Sequence, residues 1–388
     1  MIKLYSDYLQ PFWCIGIKVL IAGNMVNQGF VTASKLRKEG LDVHLLMEDN
    51  PHITADPVFL EPNMKNNYPD WIHFFSKENP RWKFDVITKM KEFDLIHAWV
   101  EFPIFALFSG KNFIVNTQGS DFRELYHTKS LKGFLLKIAY KKAKVIIFNQ
   151  PDYLKKNPKI LIKKGVFVPV IWESKNWPTF NSISHKNNFI IFHPTSLNWR
   201  IKGNQILIKG FANYLKQHPN SSLIIVKRGN SINDTQKLIE TLGITNQVKF
   251  INGPLNRIDL AKNYTNADVI ADQFIVGSLG TIALESMFYK KPVITYIDKS
   301  SHEKTYAEIP PVCNAQNAKE IENWLNKLND NAFRDNIGKI SYDWVHKYHS
   351  SDIIVKKIKK IYELVHKKKK THDILEILKM DDKIFQLK

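Results

Sequence analysis

Apolar positions along this chain fall into short continuous runs separated by longer stretches of helical spacing. The first half carries IKVLIAG (17–23), DVHLLM (42–47), FDLIHAW (93–99), FIVNTQG (113–119) and KVIIFNQ (144–150). The second carries FIIFHPT (189–195), SLIIVKRG (222–229), QVKFING (247–253), DVIADQF (268–274) and PVITYI (292–297). Strands buried on both faces of a parallel sheet read as such unbroken runs, whereas a half-exposed strand alternates. Between them the spacing predicts helices from the turn at 24–29 to Glu39, and over about 204–216, 234–242, 257–266 and 281–289. It also predicts closing helices over 331–348 and 351–366, with Ser350 as N-cap of the last. The segment 51–85, rich in proline, asparagine and aromatics, has no regular pattern.

Strand and helix thus alternate twice, which predicts an α/β chain of two Rossmann-like doubly wound domains. The stretch 168–188 loses the periodic pattern and marks the join. The expected layout is a first domain over 1–170, a second over 189–345, and a closing helix with a basic tail over 346–388, the helix packing back on the first domain. Ligands of open parallel sheets bind beyond the carboxyl ends of the strands, so two facing domains make a cleft lined by those loops.

Length, 388 residues, suits two cores, and 44% hydrophobic content is ample to fill them. The apolar run 12–23 is too short to span a bilayer and reads as a buried strand rather than a signal peptide. Two cysteines, Cys14 and Cys313, favour a reducing, cytoplasmic setting and form no metal cluster. The formal net charge is +19, and it is unevenly spread. Residues 129–164 hold eleven lysines and one acid, Asp152; a second basic block runs from Lys356 to Lys370. Such charge suits an anionic partner or a merely solvated basic surface. Within it, 131–144 reads as a helix with Leu131, Phe134, Leu135 and Ile138 on one side and Lys132, Lys137, Lys141 and Lys144 on the other. Two readings stay open: a helix lying on an anionic membrane, or an outer helix with its apolar side on the sheet.

The richest stretch for chemistry is 272–297. Gly277-Ser278-Leu279-Gly280 form a small-residue loop after a strand, and Thr281 opens a helix. Backbone N–H groups at such a start suit a diphosphate. Glu285, one turn in, leans back toward the loop and can accept hydrogen bonds from sugar hydroxyls. Arg200 and Lys202, after the strand 189–195, can offset the charge of a diphosphate leaving group without metal. No Asp-x-Asp triplet occurs; neither do the zinc-protease, serine-hydrolase or dinucleotide signatures. His97 and His193, at or near strand ends, fit core roles better than catalytic ones.

"ESMFYKKPVI" (285–294), with the loop before it, resembles the corresponding region of retaining nucleotide-sugar glycosyltransferases of the GT-B fold, particularly glycosyltransferase family four. FDLIHAW (93–99), TQGSDFR (117–123), TSLNWRIKGNQILIKGF (195–211), NYTNADVIADQF (263–274) and the closing helix pair resemble other parts of that family in the same order. The resemblance implies transfer of a sugar from a nucleotide donor to a glycan or lipid-linked acceptor, with retention and no metal cofactor. It implies catalytic roles for Lys202, Glu285, Arg200 and Asp121. Gly277, Ser278, Leu279, Gly280, Thr281, Glu285, Lys202 and Gly253 would bind donor, while Gln28, Gly29, Gln118, Asp121 and Arg123 would face the acceptor. Two departures stand out. The family's first motif glutamate is Gly277 here, and its loop histidine is Gln118. A silent nucleotide-sugar- or glycan-binding subunit is therefore the rival reading. A nucleic-acid binder has only charge in its favour, and no reading element supports it. The expected location is cytoplasmic and peripheral to the membrane's inner face, through lysines 129–164.

Overall fold

A computed structural model describes residues 16–65, 67–156, 158–172, 177–181 and 188–381. It contains two parallel sheets, each flanked by helices. One compact unit comprises the described residues of 1–148, 159–168 and 354–381; the other comprises those of 149–158 and 169–353.

In the first unit the strands are β1 (Lys18–Ala22), β2 (Asp42–Glu48), β3 (Ile72–Phe75), β4 (Leu95–Trp99), β5 (Asn112–Asn116), β6 (Ile146–Phe148) and β7 (Gly165–Phe167). Their order across the sheet is β3-β2-β1-β4-β5-β6-β7, all parallel. Of the central strands, β4 is buried at every residue and β1 and β5 at all but their first, as the unbroken apolar runs require. Three features differ from the sequence expectation. The stretch 51–85 contains β3, four residues of which Phe74 is exposed, together with three 3-10 turns. Gly165–Phe167 adds a short edge strand. Thr371–Asp381, in the expected basic tail, is a helix that buries Ile374 and Leu378. Residues 12–15 of the first apolar run, and Cys14 with them, lie outside the described residues.

The second unit holds β8 (Phe189–His193), β9 (Ser221–Lys227), β10 (Val248–Asn252), β11 (Val269–Ala271), β12 (Val293–Thr295) and β13 (Cys313–Asn314). The order β10-β9-β8-β11-β12-β13 is parallel throughout and is that of a dinucleotide-fold sheet. Strand order reverses between β8 and β11, so the loops after those two strands diverge and leave a crevice there. The sequence expectation lacked β13 and the helix Ala318–Leu328. Asn317 caps that helix by accepting from the Glu320 N–H, and its Ile321, Leu325 and Leu328 enter the core. Helix Asn204–Leu215 packs against it. At Gly210 a β-carbon would come within 2.7 Å of Ile321, so only glycine allows this approach.

Candidate functional site

The switch point of the second unit gathers most of the predicted donor residues. After β8 the chain makes one helical turn, Trp199–Lys202, capped by Asn198, which accepts from the Ile201 N–H at 3.1 Å. Gly203 closes the turn in the left-handed region (φ 69°) and lies against Ile275, where a β-carbon would be 2.9 Å from a side-chain carbon. This places Lys202 against the loop after β11. Its carbonyl accepts from the Phe274 N–H at 2.7 Å, and its Nζ donates to Gln273 Oε1 at 2.5 Å. Gln273 Nε2 in turn donates to the Ser278 carbonyl at 2.7 Å. One chain of contacts therefore joins Lys202 to the loop 277–280. Arg200 is exposed on the same turn.

Below the loop lies a carboxylate that the sequence reading did not select. Asp272 is buried and accepts from Thr195 Oγ1 at 2.7 Å. Burial pushes its pKa up, and the Lys202 charge, the Thr195 hydroxyl and the Gly280 and Ala283 N–H groups pull it down. A β-carbon at Gly280 would stand 2.6 Å from Asp272 Oδ2, so glycine here is what lets the helix Thr281–Phe288 start over the carboxylate. Leu279 is buried and Thr281 half-buried. Ser278 is fully buried and donates to Asp152 Oδ1 at 2.6 Å, while Lys155 pairs with Asp298 at 2.5 Å; the stretch 152–155 is thereby held to this loop. Gly277 touches the same wall. A β-carbon there would be 3.0 Å from Asp298 Cβ and 3.1 Å from the Tyr296 ring. A side chain at this position would therefore crowd Asp298 and Tyr296 from its first carbon.

Glu285 lies one turn into the helix, buried, with Oε2 accepting from the Tyr264 hydroxyl. Burial pushes its pKa up to about 8; the Tyr264 hydrogen bond and the charges of Arg228 and Arg257 oppose this, and Asp272 adds to it. Arg228 stands just past β9 and donates to the Pro194 carbonyl from Nη2 at 3.2 Å. Arg257 opens the helix after β10, its guanidinium 5.0 Å from the Trp177 ring centre. Neither arginine was singled out from the sequence. Both sit just beyond strand ends, and that rule would have found them. Gly253, also beyond β10, backs onto β9, where a β-carbon would come 2.4 Å from Val226 Cγ1.

His193 is a core residue. Its Nδ1 lies 2.8 Å from the Ala271 carbonyl, which can only accept, so Nδ1 carries the proton and Nε2 accepts from Asn204 Nδ2 at 2.8 Å. Burial lowers its pKa to about 4, and the neutral ring stitches β8 to β11 and to the following helix.

The predicted acceptor-side residues lie in the first unit. Asp121 is buried, and its carboxylate accepts the N–H groups of Gln118 (3.1 Å) and Gly119 (2.7 Å) and the Tyr140 hydroxyl (3.2 Å). Burial raises its pKa against those bonds. Its hydrogen-bonding capacity is thus largely used within its own loop. Gln118 Nε2 is buried without a hydrogen-bond partner, and Arg123 is half-buried on the short helix Ser120–Arg123. Gln28 and Gly29 open the helix Gln28–Lys38; a β-carbon on Gly29 would stand 2.3 Å from the Gly23 carbonyl, so this glycine sets the approach of helix to strand end. His97 bonds Tyr362 of the helix Ser351–His366 through Nδ1 at 2.8 Å, and burial lowers its pKa to about 3. Among the described residues no group of three or more His, Cys, Asp or Glu could hold a metal ion, and no helix is long and apolar enough to cross a membrane.

Comparison with known proteins places these features. Residues 174–344 match the family described as glycosyl transferases group 1. A D-inositol 3-phosphate glycosyltransferase of Corynebacterium jeikeium is 33% identical over 102 residues, 24% of this chain and 24% of that protein. Its counterpart in Corynebacterium kroppenstedtii is 32% identical over the same length, 22% of that protein. The chain thus spans about a quarter of the length of these curated relatives. Among solved structures, Anabaena HepE in complex with UDP and glucose aligns with a TM-score of 0.68 at 15% identity, covering 89% of this chain and 99% of that one. Sucrose-phosphate synthase from Thermosynechococcus elongatus aligns at 0.63 with 14% identity, covering 90% and 99%. The fold is that of the GT-B class, two parallel α/β units, and residues 174–344, which carry the switch-point cluster, are the part similar in sequence to the glycosyl transferases of group 1.

Proposed function

We propose that this chain is a glycosyltransferase that moves a sugar from a nucleotide-sugar donor to a glycan or lipid-linked acceptor with retention of configuration. The observation that carries the reading is the convergence at one switch point of Lys202, the glycine-loop helix start and Glu285. Lys202 Nζ and the Arg228 guanidinium supply fixed positive charge for a diphosphate, and the N–H groups at Thr281–Phe288 add to it. Glu285, with Oε2 already held by Tyr264, keeps Oε1 to accept from the ribose hydroxyls of the donor. As the nucleoside diphosphate leaves, the same cations stabilise the charge developing on it, so the proposed reaction runs without a metal cofactor. Family four is the finer placement, and the cytoplasmic face of a membrane is the proposed location.

Gly277 favours a second reading, a chain that binds donor without transferring it. The experiment is a thermal-shift panel of nucleoside diphosphates and their sugars in the presence of chelator, followed by assay of sugar release from any donor that binds. Since structural neighbours were solved with UDP and with UDP-glucose, those are the first probes. One nucleoside diphosphate should raise the melting temperature by mass action. Binding without release would favour the silent reading; duplex DNA binding with no nucleotide response would overturn both.

A further inference from the structure

The helix Leu131–Lys142 has its rotation set by tight packing on one side. Gly133 abuts the turn before it so closely that a β-carbon would come 2.3 Å from Thr128 Oγ1 and 2.7 Å from the Leu125 carbonyl. Leu136 and Ala139 are buried on that side, and Tyr140 reaches Asp121 from it. At about 100° per residue this turns Leu131, Phe134, Leu135 and Ile138 to the opposite side. Leu131 is 74% exposed and Phe134 57%, with Leu135 and Ile138 half-buried. The apolar stripe is therefore not the side laid on the sheet, which settles one of the two readings left open above.

The lysines also differ from the expected segregation. They flank the stripe instead of opposing it, with Lys137 and Lys141 to one side and Lys132 to the other, and Lys142 lies at the stripe's own end. Lys132 pairs with Glu101, and Lys137 donates to the Thr128 carbonyl at 3.1 Å. The helix Pro158–Lys164 ends beside this one, Lys164 Nζ donating to the Lys141 and Ala143 carbonyls at 2.6 and 2.7 Å, and it brings Ile162, 69% exposed, next to Lys159 and Lys163. An exposed leucine and phenylalanine framed by long cationic stems is the chemistry of a helix lying in a lipid interface, apolar side in the acyl region and ammonium groups at the phosphates.

We propose that the outer side of Leu131–Lys142, centred on Leu131 and Phe134, docks on an anionic lipid bilayer. Charge complementarity selects this occupant: this helix and the one that ends beside it carry Lys132, Lys137, Lys141, Lys142, Lys159 and Lys163 and no acid, so the surface would be repelled by a second copy of itself and by basic partners. The inference stands apart from the sugar-transfer reading, because it uses no residue of the switch point.

Co-sedimentation of the full chain with vesicles of phosphatidylcholine, with and without phosphatidylglycerol, tests it. Binding should require phosphatidylglycerol and weaken with salt. The double variant Leu131→Ser, Phe134→Ser should bind about tenfold or more weakly, with unchanged melting temperature and nucleotide response, because both side chains are exposed. The triple variant Lys132→Gln, Lys141→Gln, Lys142→Gln should bind less and show a shallower salt dependence. Wild-type affinity in the double variant would overturn the proposal, as would equal binding to neutral vesicles or none at all. Self-association that the double variant abolishes, without vesicle binding, would show instead that this side pairs copies of the chain.

Discussion

The loop after β11 in the second unit and the loop after β5 in the first are built on the same plan, a polar turn past a parallel strand leading into a helix. They use their carboxylates differently. Asp121 turns back on its own loop and accepts the N–H groups of Gln118 and Gly119. In the second unit Asp272 holds the loop from beneath while Lys202, Glu285 and Arg228 converge from three other segments. One loop is shaped by its acid. The other has two buried acids, Asp272, bonded through Oδ1 to Thr195 while Oδ2 has no hydrogen-bond partner, and Glu285, bonded through Oε2 to Tyr264. The two loops therefore differ in how their carboxylates are held, Asp121 mainly by N–H groups of its own loop and Glu285 by the Tyr264 hydroxyl from another helix.

The largest test of that contrast sets Lys202→Ala beside Arg123→Ala. Loss of a charge-assisted contact to diphosphate, about 1.5–3 kcal/mol, lowers nucleotide affinity about tenfold to a hundredfold. Isothermal titration with the nucleoside diphosphate found in the panel should show this for Lys202→Ala and no change for Arg123→Ala. Equal losses would mean that both loops touch the donor, and the contrast would fail.

Next comes the shape-giving role of the two buried acids. Asp121→Ala strands two N–H groups and the Tyr140 hydroxyl, and should cost about 1–3 kcal/mol in urea unfolding with nucleotide affinity unchanged in the folded fraction. Gly280→Ala drives a methyl against Asp272 Oδ2, now 2.6 Å from that position, and should cost about 1–3 kcal/mol as an overpacked site. It should also weaken nucleotide binding, because the helix start must shift. If Gly280→Ala were neutral in both, the loop would be looser than its contacts indicate.

The strands at the centre of both sheets were legible because burial on two faces leaves an unbroken apolar run. The omissions share a cause. β3 is four residues at a sheet edge with Phe74 exposed, and β13 is two residues, so neither burial nor length leaves a signature. In the site, Lys202, the glycine loop and Glu285 were visible as local patterns. Tyr264 meets Glu285 across 21 positions and Thr195 meets Asp272 across 77, contacts made by strand order and invisible to spacing. The stripe of 131–138 was visible, but its direction was not, since Gly133 and Tyr140 decide the rotation through tertiary contacts.

The last contrast is a pH dependence that separates buried Glu285 from ordinary surface carboxylates. Burial raises the Glu285 pKa from 4.5 to about 8. Between those values the folded protein holds a proton that the unfolded chain has released, so the stability contributed by this group falls as pH rises from about 4.5 to 8 and levels off above. The ribose hydroxyls, by contrast, are held best by the ionised carboxylate, so nucleoside diphosphate affinity should climb over the upper part of the same range. Stability and donor affinity thus run in opposite directions with pH. Glu285→Gln, neutral at every pH, should flatten both profiles and be at least as stable as wild type at pH 8, while binding donor more weakly there. Urea unfolding and nucleotide titration at matched pH read the two together. Parallel profiles, or a wild type whose donor affinity ignores pH up to 8, would show that Glu285 is not the group that holds the ribose.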